Sequence, residues 1–294
     1  MSSWEERITR ETPPAIRAEH ELRYRMAGPL IAASGVWTDL GCGNGVAPAA
    51  ALARPLPEHV VLVDLEPEAV TRATAELDAA HSVRIDGDLT DPELLGRIGA
   101  ALLAGSGERV VTCFEVVEHL TTIVPLLEWA GALARDGAAT FVLSVPNDTF
   151  WAIENPYHQA SWGDGAFEEL RRLLPAEHTL LRQTAMTGSA LVAWDDAPER
   201  HPLTVEVGGL AAVASHFIAA FGPRHDQLQR GALAVPTDQN AQRRWERQRE
   251  SNLALAEARL SGLIAERSEW RAYIHELERE LGRPLSGAEP EPTR

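Results

Sequence analysis

The 294-residue chain carries a formal charge of −16, is 45% hydrophobic and contains two cysteines. That composition can bury a substantial core, and the acid excess argues against a basic nucleic-acid groove. Cys42 and Cys113 lack metal-ligand spacing, so they read as reduced thiols in a cytoplasmic protein.

Residues 1–34 read as a polar helical lead-in that ends on the apolar Pro29-Leu30-Ile31. A short buried strand is predicted over 36–40, then a glycine turn, then an Ala-rich helix over 46–53. A second apolar strand spans 59–65, and Pro67 suits the first turn of a helix over 67–80. A third strand spans 82–86, and Asp91-Pro92 opens another helix with the acid as N-cap. The β-branched run 109–114 is the fourth strand, followed by a helix to 133, and Asp136-Gly137 turns into a fifth strand over 139–145. Residues 146–164 are irregular, aromatic and long enough to suggest function. Asp164 is placed as the cap of a helix carrying Phe167, Leu170 and Leu174 at helical spacing. The stretches 179–193 and 213–221 can close the sheet as an antiparallel hairpin. The fold class expected is α/β: a doubly wound, Rossmann-like seven-stranded sheet, mostly parallel, with a C-terminal coiled-coil helix.

The tail differs. Leu253, Leu260, Arg267, Ile274 and Leu281 recur every seven residues, and Ala256, Leu263, Trp270 and Leu277 interleave with them. This pattern predicts a coiled coil and a homo-oligomer, or one helix lying back on the domain through the same stripe. The domain reading is 1–235 for the globular part, a linker over 236–250, the coiled-coil helix over 251–283 and a disordered tail over 284–294. No basic-then-apolar leader opens the chain. The longest apolar stretch, 208–222, is broken by Ser215 and His216 and is too short for a bilayer, so no membrane span is expected.

The chemistry concentrates at Asp39-Leu40-Gly41-Cys42-Gly43-Asn44-Gly45, with Asp64 placed 19 positions after Gly45. Glycines between a strand and a helix let a ligand approach the backbone, and a delayed acid can accept hydrogen bonds from a ribose diol. The spacing fits a dinucleotide or another adenosine-containing cofactor. Pro48 stands where the dinucleotide pattern requires a third Gly or Ala, and Asp39 would repel a pyrophosphate. Both favour a positively charged ligand such as S-adenosyl-L-methionine.

Further motifs follow: Val61-Leu62-Val63-Asp64, Asp86-Gly87-Asp88, and Cys113-Phe114-Glu115-Val116-Val117-Glu118-His119-Leu120. With Ala134-Arg135-Asp136-Gly137-Ala138 in place of a Pro-Gly-Gly turn, the chain resembles the class I S-adenosylmethionine-dependent methyltransferases over about residues 15–222. Glu19-His20, Arg23-Tyr24, Asn155-Pro156-Tyr157-His158 and Trp162 resemble a bacterial subgroup associated with glycosyltransferases, which modifies sugars or polysaccharide ends. The resemblance implies that Gly41, Cys42 and Gly43 face the methionine part, with Asp39 helping through its carboxylate. It implies that Asp64, with Leu65 beside it, holds the ribose, and that Asp88 and Leu89 meet the adenine. Glu115 would line the floor near the methyl donor, Arg23 would pair with the cofactor carboxylate, and Tyr24 would pack alongside.

A hydroxyl acceptor must lose its proton as the bond forms, and His158 and His119 are the candidate general bases. Each also has a purely structural reading. Tyr157, Trp162 and Asn147 are the substrate-binding candidates, the aromatics as an apolar wall against a sugar face. No metal site is expected, because no His/Cys cluster shows ligand spacing. The function expected is methyl transfer to a hydroxyl of a small molecule or glycan. The alternatives are N-methylation of an amino sugar, and a scaffold that binds the cofactor without turnover.

Overall fold

The computed structural model describes residues 7–79, 81–151, 157–159, 161–184, 214–229 and 239–282. The chain divides into two units, Met1–Val235 and Pro236–Arg294. The expected tail over 284–294, Asn155-Pro156 and the 185–193 part of the predicted strand lie outside the described residues.

In the first unit, helix α1 (Pro14–Ala32) begins on a proline, whose missing N–H costs nothing in a first turn. It buries Tyr24, Met26, Ala27, Leu30 and Ile31. Strand β1 (Val36–Leu40) is buried at every position. The chain then alternates α2 (Val46–Ala51), β2 (His59–Asp64), α3 (Pro67–Glu76), β3 (Val83–Asp86), α4 (Pro92–Ala104) and β4 (Arg109–Phe114). Asp91 caps α4 by accepting from the Glu93 N–H at 2.9 Å. A 3₁₀ turn at Val117–His119 precedes α5 (Val124–Arg135) and β5 (Thr140–Pro146). Short helix α6 (Asp148–Trp151) forms within the stretch expected to be irregular, and α7 (Asp164–Leu173), β6 (His178–Gln183) and β7 (His216–Phe221) follow.

The seven strands lie in the order β3-β2-β1-β4-β5-β7-β6, with β7 antiparallel to both its neighbours and the other pairings parallel. From β1 the chain runs outward through β2 and β3, then returns to place β4 on the other side of β1. A doubly wound sheet opens a crevice beyond the carboxyl ends of its strands at such a reversal. Two apolar clusters cover the faces, one around Leu95, Ile98, Phe141 and Phe221 and the other around Leu30, Trp37, Leu62 and Phe114. The predicted elements are present with small shifts: α3 stops at Glu76, before Asp78 adopts a left-handed φ of 49°.

The second unit holds helix α8 (Gln239–Leu281). It begins at Gln239 rather than 251, so most of the expected linker is helical. The segment Gln-Asn-Ala-Gln-Arg-Arg-Trp-Glu-Arg-Gln-Arg-Glu contains neither Pro nor Gly to stop it. Leu253, Leu260, Leu263, Trp270 and Leu281 are exposed. No helix among the described residues is long and apolar enough to cross a membrane.

Candidate active site

The carboxyl ends of β1, β2 and β4 open on a cavity of about 490 Å³. Along one wall runs the glycine turn. Gly41, Gly43 and Gly45 take φ values of 72°, 53° and 74°, a region that favours glycine. A Cβ on Gly45 would stand 2.7 Å from the Ala73 backbone, so this glycine seats α2 against α3. A Cβ on Gly43 would meet nothing within 4 Å, although Gly43 lines the cavity. The space above Gly43 is thus open to a ligand. Gly43→Ala is expected to weaken cofactor binding at a stability cost of only about 1–2 kcal/mol. Gly45→Ala should instead lower the melting temperature severely, and equal losses in the two variants would contradict this division.

Asp64, at the end of β2, organises the turn. Its Oδ2 accepts from the Gly43 N–H at 2.9 Å, and its Oδ1 accepts from the Glu66 N–H at 3.1 Å and from Arg7 Nη2 at 2.7 Å. Leu65 is 61% exposed beside it and lines the cavity. Exposed Asp88 accepts from the Thr90 N–H at 2.8 Å, while Leu89 is buried. An acid on the backbone turn, an open glycine and an apolar ledge fit a ribose and a flat base, so these residues fit S-adenosylmethionine.

Asp39 and Arg23 do not line the cavity, which corrects the direct cofactor contacts expected of them. Asp39 is fully buried: its Oδ2 accepts from Tyr24 Oη at 2.9 Å, and its Oδ1 from Thr112 Oγ1 at 2.6 Å. Thr112 in turn accepts from Trp37 Nε1 at 2.9 Å. Burial pushes the Asp39 carboxyl up to about 7 from its ordinary 3.8, against the pull of the Thr112 and Tyr24 hydrogen bonds. A raised folded value means that its stabilising contribution is complete below about 3.8 and lost as pH climbs through 7. Asp39→Asn should therefore flatten the fall in melting temperature between pH 5 and 8. Parallel melting curves for the two proteins would refute the assignment.

Arg23 is 1% exposed because it spans the interior. Its Nη1 donates to Gln183 Oε1 at 3.0 Å, and its Nη2 stands 4.0 Å from Glu115 Oε2. Glu115 takes a left-handed φ of 54° just past β4 and lines the cavity. Ser144 Oγ donates to Glu115 Oε1 at 2.6 Å, and His216 Nε2 stands 3.3 Å from Oε2. Burial opposes ionisation of Glu115, but Arg23 and His216 prevail and hold its carboxyl well below the usual range. Tyr24 lines the cavity as well as bonding Asp39.

The same cavity is lined by His119, Tyr157 and His158. The 3₁₀ turn after β4 carries Glu118 and His119, and the Gln159 N–H donates to the Glu118 carbonyl at 2.8 Å, tying the aromatic loop to that turn. His119 Nδ1 donates to the Tyr157 carbonyl at 3.2 Å, and His158 Nδ1 donates to Asp148 Oδ1 at 3.1 Å. The two imidazoles meet edge to face at 5.1 Å. Trp162 and Asn147 do not line the cavity, which corrects their expected role as acceptor contacts. Trp162 is core material, 5% exposed. Asn147 is fully buried, and its Nδ2 donates to the Ala214 carbonyl at 2.8 Å, pinning the end of β5 to the segment before β7. Sequence reasoning missed Arg7, for which no motif gave a signal. It also missed Asp148 as the partner of His158, and Glu118, which sits inside a quoted motif.

Cavity, topology and turn together are those of a Rossmann-like methyltransferase. The family described as Methyltransferase domain matches residues 14–192, more than half of the chain, and the chain belongs to it. Comparison with curated proteins gave no match. Among solved structures, the chain is similar to the methyltransferase domain of bacterial CtHen1-C, with 16% identity over 69% of this chain and 98% of that one and a TM-score of 0.46. It is similar to the small RNA methyltransferase HEN1, with 18% identity over 74% of this chain and 27% of that one and a TM-score of 0.47. It is also similar to the N-methyltransferase NodS from Bradyrhizobium japonicum WM9, with 14% identity over 72% and 97% of the two chains and a TM-score of 0.42. The exclusion of nucleic acid drawn from net charge is corrected here, since a small RNA methyltransferase stands among these structures. A charge of −16 summed over the whole chain does not describe the mouth of one cavity.

Proposed function

We propose that this protein transfers the methyl group of S-adenosylmethionine to a hydroxyl of a small molecule or glycan. The observation that carries this reading is one cavity lined both by the glycine turn and Asp64 and by His119, Tyr157 and His158. S-adenosylmethionine, when bound, supplies an already activated methyl donor, so the protein's main task is alignment. Asp64 holds the ribose hydroxyls, Leu65 and Leu89 flank the base, and Asp88 accepts from its amine. Asp39 and Arg23 act from behind the wall by fixing Tyr24 and Glu115. The acceptor hydroxyl meets the protein at the histidine pair, where Asp148 and the Tyr157 carbonyl orient the rings.

Incubating the full chain with methyl-labelled cofactor and a panel of sugars, oligosaccharides, phenols, amino sugars and short RNA tests this. Label in an alkali-stable ether on a sugar or phenol is the expected result. Label only on nitrogen or only on RNA overturns it. For the second unit we infer self-association through the heptad stripe of α8. The full chain should have the solution mass of an oligomer and the chain truncated after Arg249 that of a monomer, and a full chain that is already monomeric refutes the idea.

A further inference from the structure

We propose that Glu118, His119 and His158 bind one divalent first-row transition-metal ion at the acceptor end of the cavity. Their ligand atoms all lie within 4.8 Å of one another. Atoms sharing one such ion stand about 3–4 Å apart, so small side-chain rotations close the set. The inference rests on the preceding reading for the acceptor's position, and it gives the histidine pair its task there.

The second observation is independent of the clustering. Glu118 is 1% exposed, and its Oε2 has no hydrogen-bond partner. A buried carboxyl oxygen left this way costs free energy unless a donor or a cation meets it. Its other oxygen, Oε1, stands 3.9 Å from His119 Nε2.

The hydrogen bonds around the pair have the form that metal sites use. Each imidazole donates from Nδ1, His119 to a backbone carbonyl and His158 to the Asp148 carboxylate. That fixes the tautomer in which Nε2 carries the lone pair, as in carboxylate–histidine–metal arrangements. Asp148 is itself held, its Oδ2 accepting from the Trp162 N–H at 2.6 Å. Glu115 stays outside the set because Ser144, His216 and Arg23 already engage it.

Two imidazoles and one carboxylate suit Mn²⁺, Fe²⁺, Co²⁺ or Zn²⁺ and leave coordination positions open. An acceptor hydroxyl taking one of them becomes more acidic. In the transfer its oxygen bonds the methyl carbon, the S–C electron pair returns to sulfur, and the hydroxyl proton leaves to solvent. His158 is then a ligand rather than the base. No linear motif announces the site, because the loop brings His158 to the Glu118-His119 turn from a distant part of the chain.

The test is titration of the full chain with Co²⁺, followed by its visible absorption, without cofactor or acceptor. One equivalent should bind, and Zn²⁺ should displace it. Glu118→Gln, His119→Ala and His158→Ala should each weaken binding at least tenfold. Asp148→Asn, which removes only a positioning residue, should weaken it about tenfold or more. Circular dichroism of each variant checks folding. Absence of a Co²⁺ band at millimolar concentration, or unchanged binding in His158→Ala, overturns the site. Because this readout needs neither cofactor nor acceptor, it fails or succeeds apart from the proposed reaction. Once an acceptor is identified, chelation should abolish transfer and Mn²⁺ or Co²⁺ should restore it. Transfer indifferent to chelator would overturn the role given to the ion.

Discussion

Asp64→Ala is expected to weaken binding of S-adenosylmethionine, or of its demethylated product, by about 10²- to 10⁴-fold. Two ribose hydroxyls donating to an ionised carboxylate contribute roughly 1.5–3 kcal/mol each, and about 1.4 kcal/mol is a factor of ten. The same carboxylate accepts from the Gly43 N–H, so its removal also loosens the turn. Asp64→Asn, which retains one acceptor oxygen, should fall between the two. Calorimetric titration with the product measures the effect, and a thermal melt separates lost binding from lost folding. An unchanged dissociation constant in a folded Asp64→Ala protein would remove Asp64 from the cofactor site. Arg7 adds a condition, because it already pairs with this carboxylate at 2.7 Å. A ribose must share Asp64 with Arg7 or displace it, so Arg7→Ala should leave binding intact or tighten it.

Arg23→Ala is expected to cost about 3 kcal/mol or more of folding stability, read as the shift in a urea unfolding midpoint. Removing one partner of a buried ion pair leaves the other charge poorly compensated, and Glu115 would keep only His216, 3.3 Å away, and the Ser144 hydroxyl. Gln183 would lose its donor as well. Arg23→Lys should not rescue, since a single ammonium cannot fork toward both groups. Arg23→Met combined with Glu115→Gln should recover part of the loss, because the unpaired charge is gone while the amide oxygen can still accept from Ser144. A double variant as unstable as Arg23→Ala would show that the charge pairing is not what Arg23 supplies.

The sheet was legible in the sequence because buried parallel strands read as uninterrupted β-branched and apolar runs, as in Val60, Val61, Leu62 and Val63. The turn was legible because left-handed backbone at Gly41, Gly43 and Gly45 admits few other residues. The polar interior was not. Arg23 reads as a surface cation until Gln183, 160 positions away, is packed against it. Asp39 looks like a cofactor ligand from its place before the glycines. Only the partners Tyr24 and Thr112, brought in by α1 and β4, show that it faces inward. Trp162 and Tyr157 belong to one aromatic stretch, yet the loop buries the first and turns the second toward the cavity. Local pattern states which residues are apolar; long-range pairing decides which polar ones are inside.

The bond between Arg23 and Gln183 also bears on the order of assembly. Helix α1 is made before the sheet, while β6 emerges only after five of its strands, and Gln183 further donates to the Glu19 carbonyl at 3.2 Å. During synthesis, at roughly 5–20 residues per second, α1 waits about ten to thirty seconds for the Gln183 side chain that anchors it. A nascent chain halted before β6 can offer Arg23 the Glu115 carboxylate but not the Gln183 acceptor, and α1 lacks the bond that β6 makes to it. The domain is sealed by β6 closing on α1, so interrupted translation is expected to leave α1 protease-sensitive.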